Sequence, residues 1–302
     1  MCAQRLCKEN NITTGNPRQF ALGITLGILT VFLGSTVAAA GKHLSGQVHI
    51  SAIVLAQYLI CFLLVLPWWL RNGKRAIVTQ RPLQHAIRGI SGCACFYTYY
   101  LAMQYMPLVE ATLFRNTAPL MVPMVILVWY RNAIPTSRLL PLIIGFAGVL
   151  LVLRPTIDGI SPWQLVALSS GLGLAISMVS TRELARTEPE SRILFYYFSI
   201  SLLFVLPFFV LHYQPIPEAA LPWLLYVGVV MYGTFVIYTK AFSYVPSSIL
   251  APTSYFALVF AGLLDWWIWG AVPDTPTVLG IALVISGGLL MLRSPSTAAD
   301  DN

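Results

Sequence analysis

The chain has 302 residues, 57% of them hydrophobic and only 10% charged, against about 25% charged in ordinary soluble domains. That balance excludes a water-soluble fold. The net charge of +7 does not point to nucleic acid either, because the cations are scattered over connecting segments and no basic helix is interleaved with aromatics.

A tail over 1–19 opens the chain, followed by segments long enough to cross about 30 Å of hydrocarbon, which takes about 20 apolar residues each. Ten are predicted, at about 20–40, 51–70, 86–106, 108–129, 138–153, 163–181, 193–211, 222–242, 248–269 and 277–292, before a tail over 294–302. No soluble domain fits between them, so the expected fold is an all-α integral membrane protein of ten transmembrane helices. The first span includes "GILTVFLGSTVAAAGKH", whose small residues also resemble a signal-peptide cleavage site. The long leader and a matching span in the second half favour a retained helix. Gly23 and Gly27 in span one, and Gly171, Gly173, Ala175 and Ser177 in span six, are read as packing residues that let helices approach closely.

Sidedness explains the cations. With the N-terminus inside, fourteen of the 18 Lys and Arg fall on cytoplasmic segments, among them Arg71, Arg88, Arg131, Arg182 and Arg293, while Lys42 and Arg154 fall on the opposite side. The other two, Arg115 and Lys240, lie within spans. This bias places both termini in the cytoplasm of a cell whose inner membrane holds the protein. The five cysteines, Cys2, Cys7, Cys61, Cys93 and Cys95, show no C-x-x-C and no His cluster at zinc spacing. They are read as small apolar filler, with neither metal nor cofactor expected.

A shift of 139 residues lays 99–155 over 238–294 without a gap. Tyr99, Ala102, Tyr105 and Pro107 meet Tyr238, Ala241, Tyr244 and Pro246, and "GVLLVLR" (148–154) faces "GGLLMLR" (287–293). The chain is therefore read as a duplication, one repeat over 20–155 and the other over 163–293, joined by the turn-rich "RPTIDGISP". Five spans per copy make the second repeat inverted, a recurrent device of secondary transporters.

The stretches "YYLAMQYMPLVEATLFRNTAPLMVPMVILVWY", "GFAGVLLVLRP" and "KAFSYVPSSILAPTSYFALVFAGLLDWWIWG" resemble the two EamA domains of the drug/metabolite transporter superfamily. The resemblance implies a central cavity lined by spans one, three, four, six, eight and nine, and solute passage by alternating access. Three positions depart from the family pattern. Gln57 stands where an Arg is common, and Asn132 and Ala271 stand where a Glu commonly ends spans four and nine.

Charges inside the bilayer are costly and mark function. Glu110 and Arg115 point about 140° apart on a regular helix and are poor mutual partners. Arg115 lies about 10 Å and Asp265 about 6 Å from the outer surface, so an Arg115–Asp265 ion pair is expected, either as a gate or as a bipolar anchor for a zwitterionic or anionic solute. Glu110 is read as a carboxylate favoured at a helix N-terminus, Lys240 as a lysine snorkelling to headgroups. Tyr99, Tyr255, Asn116 and Gln57 are candidates for a cavity wall. Pro119 and Pro252, inside spans four and nine, are read as helix kinks.

"GISG" (89–92) also fits the G-x-S-G of rhomboid-type intramembrane proteases, which would need a His base on a neighbouring span. His43, His49, His85 and His212 all fall at or beyond the span ends. There is no phosphate loop for ATP, and no signalling domain that would mark a sensor or scaffold. The expected function is secondary transport of a small metabolite, an amino acid or a related solute such as S-adenosylmethionine. Its partners would be that solute and membrane lipids, without nucleic acid, with Glu110 and Asp265 available for proton coupling, in a monomer or homodimer.

Overall fold

The computed structural model describes residues 17–131, 136–153, 161–242, 244 and 251–293. Asn132, Pro246, the linker 154–160, Cys2, Cys7 and the tail 294–302 lie outside them. The helices are α1 Pro17–Ser45, α2 Ile50–Asn72, α3 Pro82–Met103, α4 Leu108–Arg115, α5 Ala118–Tyr130, α6 Thr136–Leu153, α7 Pro162–Ala185, α8 Glu190–Leu211, α9 Leu221–Phe242, α10 Phe256–Trp269 and α11 Thr275–Arg293. No strand occurs among the described residues. Pro82 and Pro162 sit in the first turns of α3 and α7, where a missing N–H costs nothing. At the start of α7 the Ser161 N–H donates to Gln164 Oε1 at 3.2 Å.

Six helical stretches are long and apolar enough to cross a bilayer: 18–45, 50–72, 108–130, 162–185, 190–211 and 218–238. α6 and α11 carry shorter apolar windows. α3 is more polar, since it holds His85, Arg88, Ser91 and several tyrosines. The outward surface is apolar: Val128 is 82%, Leu211 78% and Trp267 80% exposed. Leaving such side chains in water forfeits about 1.5–3 kcal/mol each, so this surface is built for acyl chains. The protein is a multi-pass membrane protein.

Helices from the two halves of the chain pack on each other: α1 on α9, α3 on α7, α2 on α8, α4 on α10 and α6 on α11. The bounds follow the 139-residue offset, since α3 (82–103) maps onto α9 (221–242) and α6 (136–153) onto α11 (275–293). α5 and α10 both stop at a left-handed residue, Arg131 at φ 55 and Gly270 at φ 66, again 139 positions apart. The two residues that follow, Asn132 and Ala271, are the family departures noted above.

Three expectations are corrected. α1 continues to Ser45, so Lys42 belongs to a helix and not to a loop. Span four is two helices broken at Asn116 and Thr117. Pro119 lies in the first turn of α5; lacking an N–H it cannot bond the Arg115 carbonyl, so the break falls upstream of the proline. Asn116 and Thr117 favour it by bonding back onto Thr112 O (2.8 Å) and Phe114 O (2.6 Å). Pro252 falls in a 3₁₀ turn, Ala251–Tyr255, that precedes α10. That turn covers the register of 112–116, where α4 ends.

Candidate functional site

The break after α4 places Arg115 in the last turn of that helix, turned toward α3. Its guanidinium stacks 4.6 Å over Phe96 and 5.0 Å over Tyr99, and its Nε is buried without a hydrogen-bond partner. Ring faces offset part of the cost of a partly buried cation, about 0.5–2 kcal/mol according to how far it is desolvated. Around it the polar groups are ordered: the Tyr99 hydroxyl lies 2.7 Å from the Thr112 hydroxyl, and the Tyr100 hydroxyl donates to Gln57 Oε1 at 2.7 Å. Gln57 is fully buried and its amide Nε2 has no partner. Of the residues selected from sequence, Arg115, Tyr99 and Gln57 are thus brought into one neighbourhood through Tyr100.

Asp265 is not part of it. The expected pair with Arg115 is replaced by one with Lys42, whose Nζ lies 2.7 Å from Asp265 Oδ1. Asp265 is fully buried, and its Oδ2 accepts the Val109 N–H at 2.9 Å, so the carboxylate also serves the open N-terminus of α4. Lys42 lies 4.5 Å over the Trp269 ring. Matching depths alone could not reveal this, because the loop assignment of Lys42 had removed the competing cation.

At the other end of the bundle, Arg88 enters from α3. It stacks 4.6 Å over Tyr197, donates to the Thr181 hydroxyl, and its Nε is buried without a partner. Sequence reasoning counted it among the cytoplasmic cations because it lies near the start of an apolar run. Beyond it, Glu188, between α7 and α8, receives hydrogen bonds from Thr79 (2.5 Å) and Arg192 (2.5 Å). Arg192 Nε also donates to Ala76 O at 2.6 Å, and the Tyr196 hydroxyl to Ile77 O at 2.6 Å. These bonds join the connection after α2 to the start of α8.

Burial pushes the Glu188 carboxyl up, but the hydrogen bonds from Thr79 and Arg192 and the Arg192 charge outweigh it and hold the group below its ordinary 4.5. A folded value below the unfolded one means that Glu188 stabilises fully above the ordinary value and that this contribution is lost as pH falls through the folded one. In thermal unfolding of detergent-solubilised protein, Glu188→Gln is therefore expected to be less stable than the parent near neutrality and to converge on it in acid. A difference independent of pH would refute the role of the charge.

A model of the EamA-like transporter family matches residues 21–154 and again 161–293. The chain belongs to the EamA-like transporter family. It is 26% identical over 275 residues to the pseudopaline exporter CntI of Pseudomonas aeruginosa, covering 90% of this chain and 96% of that one. With the S-adenosylmethionine uptake transporter of Rickettsia prowazekii it shares 24% over 274 residues, 90% and 92% of the two chains. With the riboflavin transporter of Brucella anthropi it shares 23% over 271 residues, 87% and 95%. A solved crystal structure aligns at a TM-score of 0.61 and 19% identity over 90% of this chain and 98% of that chain, a likeness of fold.

The remaining candidates in this EamA-like chain are placed more quietly. Tyr255 is buried in a cluster with Leu142, Val149 and Val284, and a Cβ on Gly288 would land on its hydroxyl, so it faces α11 and not Arg115. Asn116 bonds its own helix. Glu110 is partly buried in the first turn of α4, and Lys240 is exposed in the last turn of α9. The "GISG" glycines are packing positions, since a Cβ on Gly89 would meet Ile200 and one on Gly92 would meet Tyr197. Ser91 Oγ contacts its own-helix carbonyl at Arg88, 3.4 Å away. Cys61, Cys93 and Cys95 are buried and free.

Proposed function

We propose that this protein is a secondary transporter with ten membrane-spanning helices in two inverted repeats, 20–155 and 163–293, which carries a small metabolite by alternating access. The observation that carries this reading is a contact between repeat-related residues. Tyr58 of α2 and Tyr197 of α8, 139 positions apart, meet hydroxyl to hydroxyl at 3.0 Å. Residues related by a two-fold axis in the membrane plane can touch each other only on that axis. The same relation links the α6–α11 contact. A Cβ on Gly148 would meet Gly280 and Val284, while one on Gly287 would meet Pro141 and Gly145, which are the positions 139 residues earlier.

Both ends of the bundle carry a closure: Lys42–Asp265 at one and the Glu188 cluster at the other. The cation bias makes the first the outer end and the second the cytoplasmic end of an inner-membrane protein with both termini inside. Alternating access would open one while the other holds. Arg115, partly buried among aromatics between them, binds the anionic group of the solute, an amino acid or a related amphipathic molecule such as S-adenosylmethionine. Glu110, the other carboxylate of the two expected to serve proton coupling, lies in the first turn of α4.

Reconstitution in liposomes with a screen of labelled metabolites tests the reading. Counterflow of at least one solute is expected, and Arg115→Ala should lower it at least about tenfold, the least that loss of a charged hydrogen bond of about 1.5 kcal/mol implies. A variant that moves every solute as well as the parent would remove Arg115 from the site. Tags emerging on opposite faces of the membrane would end the ten-span topology.

A further inference from the structure

Residues 88, 92, 96 and 99 fall on one face of α3, and two guanidinium groups lie along it. Arg88 stacks on Tyr197 and Arg115 on Phe96. The rings between them form a continuous partition: Tyr197 meets Tyr58 edge to face at 5.6 Å, and Tyr58 meets Phe96 edge to face at 6.4 Å. Eight residues of helix separate the two levels by about 12 Å. Each guanidinium has a buried, unpartnered Nε on a side chain that is otherwise only partly buried, and among the described residues neither has a carboxylate at ion-pair distance. Asp265 pairs with Lys42, Glu188 with Arg192, and Glu183 with Arg81 and Arg186.

A guanidinium drawn partly out of water with no counter-charge is costly, and a carboxylate reaching it from the part still open would relieve it with parallel charged hydrogen bonds. We propose that Arg88 and Arg115 are successive anion-binding stations on either side of the Tyr58–Phe96–Tyr197 partition. The solute is accordingly an amino-acid derivative or related metabolite whose carboxylates outnumber its amines. A small solute meets the stations one after the other, and neither offers a carboxylate to receive an ammonium group, so net negative charge on the solute favours both meetings. This inference rests on the transporter reading above and narrows its solute.

The test uses the full chain in detergent, with thermal unfolding followed in sodium acetate, succinate and citrate at matched ionic strength. Succinate and citrate are expected to raise the parent's unfolding temperature above its value in acetate. Arg88→Gln and Arg115→Gln should each lose part of that increment and the double variant all of it, Arg88→Lys should lose less than Arg88→Gln, and Arg18→Gln should keep all of it. Should Arg88→Gln fail to fold, Arg88→Lys decides, and a response equal to the parent's overturns the proposal. So does a parent that treats the three anions alike. An intact carboxylate response without flux in liposomes would sink the transporter reading and leave the stations. Equal flux of leucine and glutamate, unchanged in Arg88→Gln, would sink the stations and leave transport.

Discussion

Replacing Lys42 by Met is expected to lower stability by about 3–5 kcal/mol, the cost of stripping the partner from a buried charge. Asp265 has no exposed surface and Lys42 only 13% of its side chain, so water cannot take over the role of the ammonium. Asp265→Asn should cost less, because the amide oxygen can still accept the Val109 N–H while the freed Lys42 keeps the Trp269 ring. Removing both charges with Lys42→Met and Asp265→Leu should recover most of the loss. What remains is an unsatisfied Val109 N–H, worth about 1–3 kcal/mol. A double-mutant cycle by thermal or denaturant unfolding measures the coupling. Additive single effects would mean that the pair is a crossing of side chains without energetic consequence, and that the proposed outer closure lies elsewhere.

That pair also marks where the sequence stopped being legible. The apolar runs and the repetition of the sequence are properties of the chain itself, because each helix in lipid must satisfy its own backbone whatever it packs against. Helix ends are less well specified. "AAAGKHLS" reads as an exit from the membrane, yet α1 carries Lys42 inward on its last turn, and one loop-to-helix reassignment changed the partner of Asp265. Arg88 was hidden for the same reason: six residues from the start of α3, it is indistinguishable by position from a snorkelling cation, and only the approach of Tyr197 from α8 shows that it faces inward. Arg115 was recoverable because the expected span began at 108 and put it about 10 Å deep, whereas the expected span three began at 86 and put Arg88 at its mouth; that α4 ends at Arg115 itself was not legible. The clue that "APL" would start a new helix was present in Pro119, but a proline acts on the carbonyl four residues before it, and the break was expected at the proline itself.

Gly287→Leu should abolish recovery of folded protein, and Gly287→Ala should cost about 1–3 kcal/mol, the range for overpacking a tight interface. A Cβ at 287 would stand 2.7 Å from both Gly145 Cα and Gly145 N and 2.8 Å from Pro141 O. All of these are backbone atoms, so no side chain can swing aside and the whole of α6 must move. Lipid offers no hydrophobic drive to hold two helices together once their small-residue contact is lost. Gly148→Ala meets backbone at Gly280 O (2.7 Å) and Val284 N (2.9 Å), and should cost about as much, since the two glycines occupy equivalent places in the crossing. Gly34→Ala is the control: nothing lies within 4 Å of a Cβ there, and in a helix alanine is favoured over glycine by about 1 kcal/mol. Gel filtration of solubilised protein after graded heating reads all four variants. Should Gly287→Ala survive heating as well as Gly34→Ala, α6 and α11 would not cross at these glycines, and the two-fold relation proposed between the halves would lose its second contact.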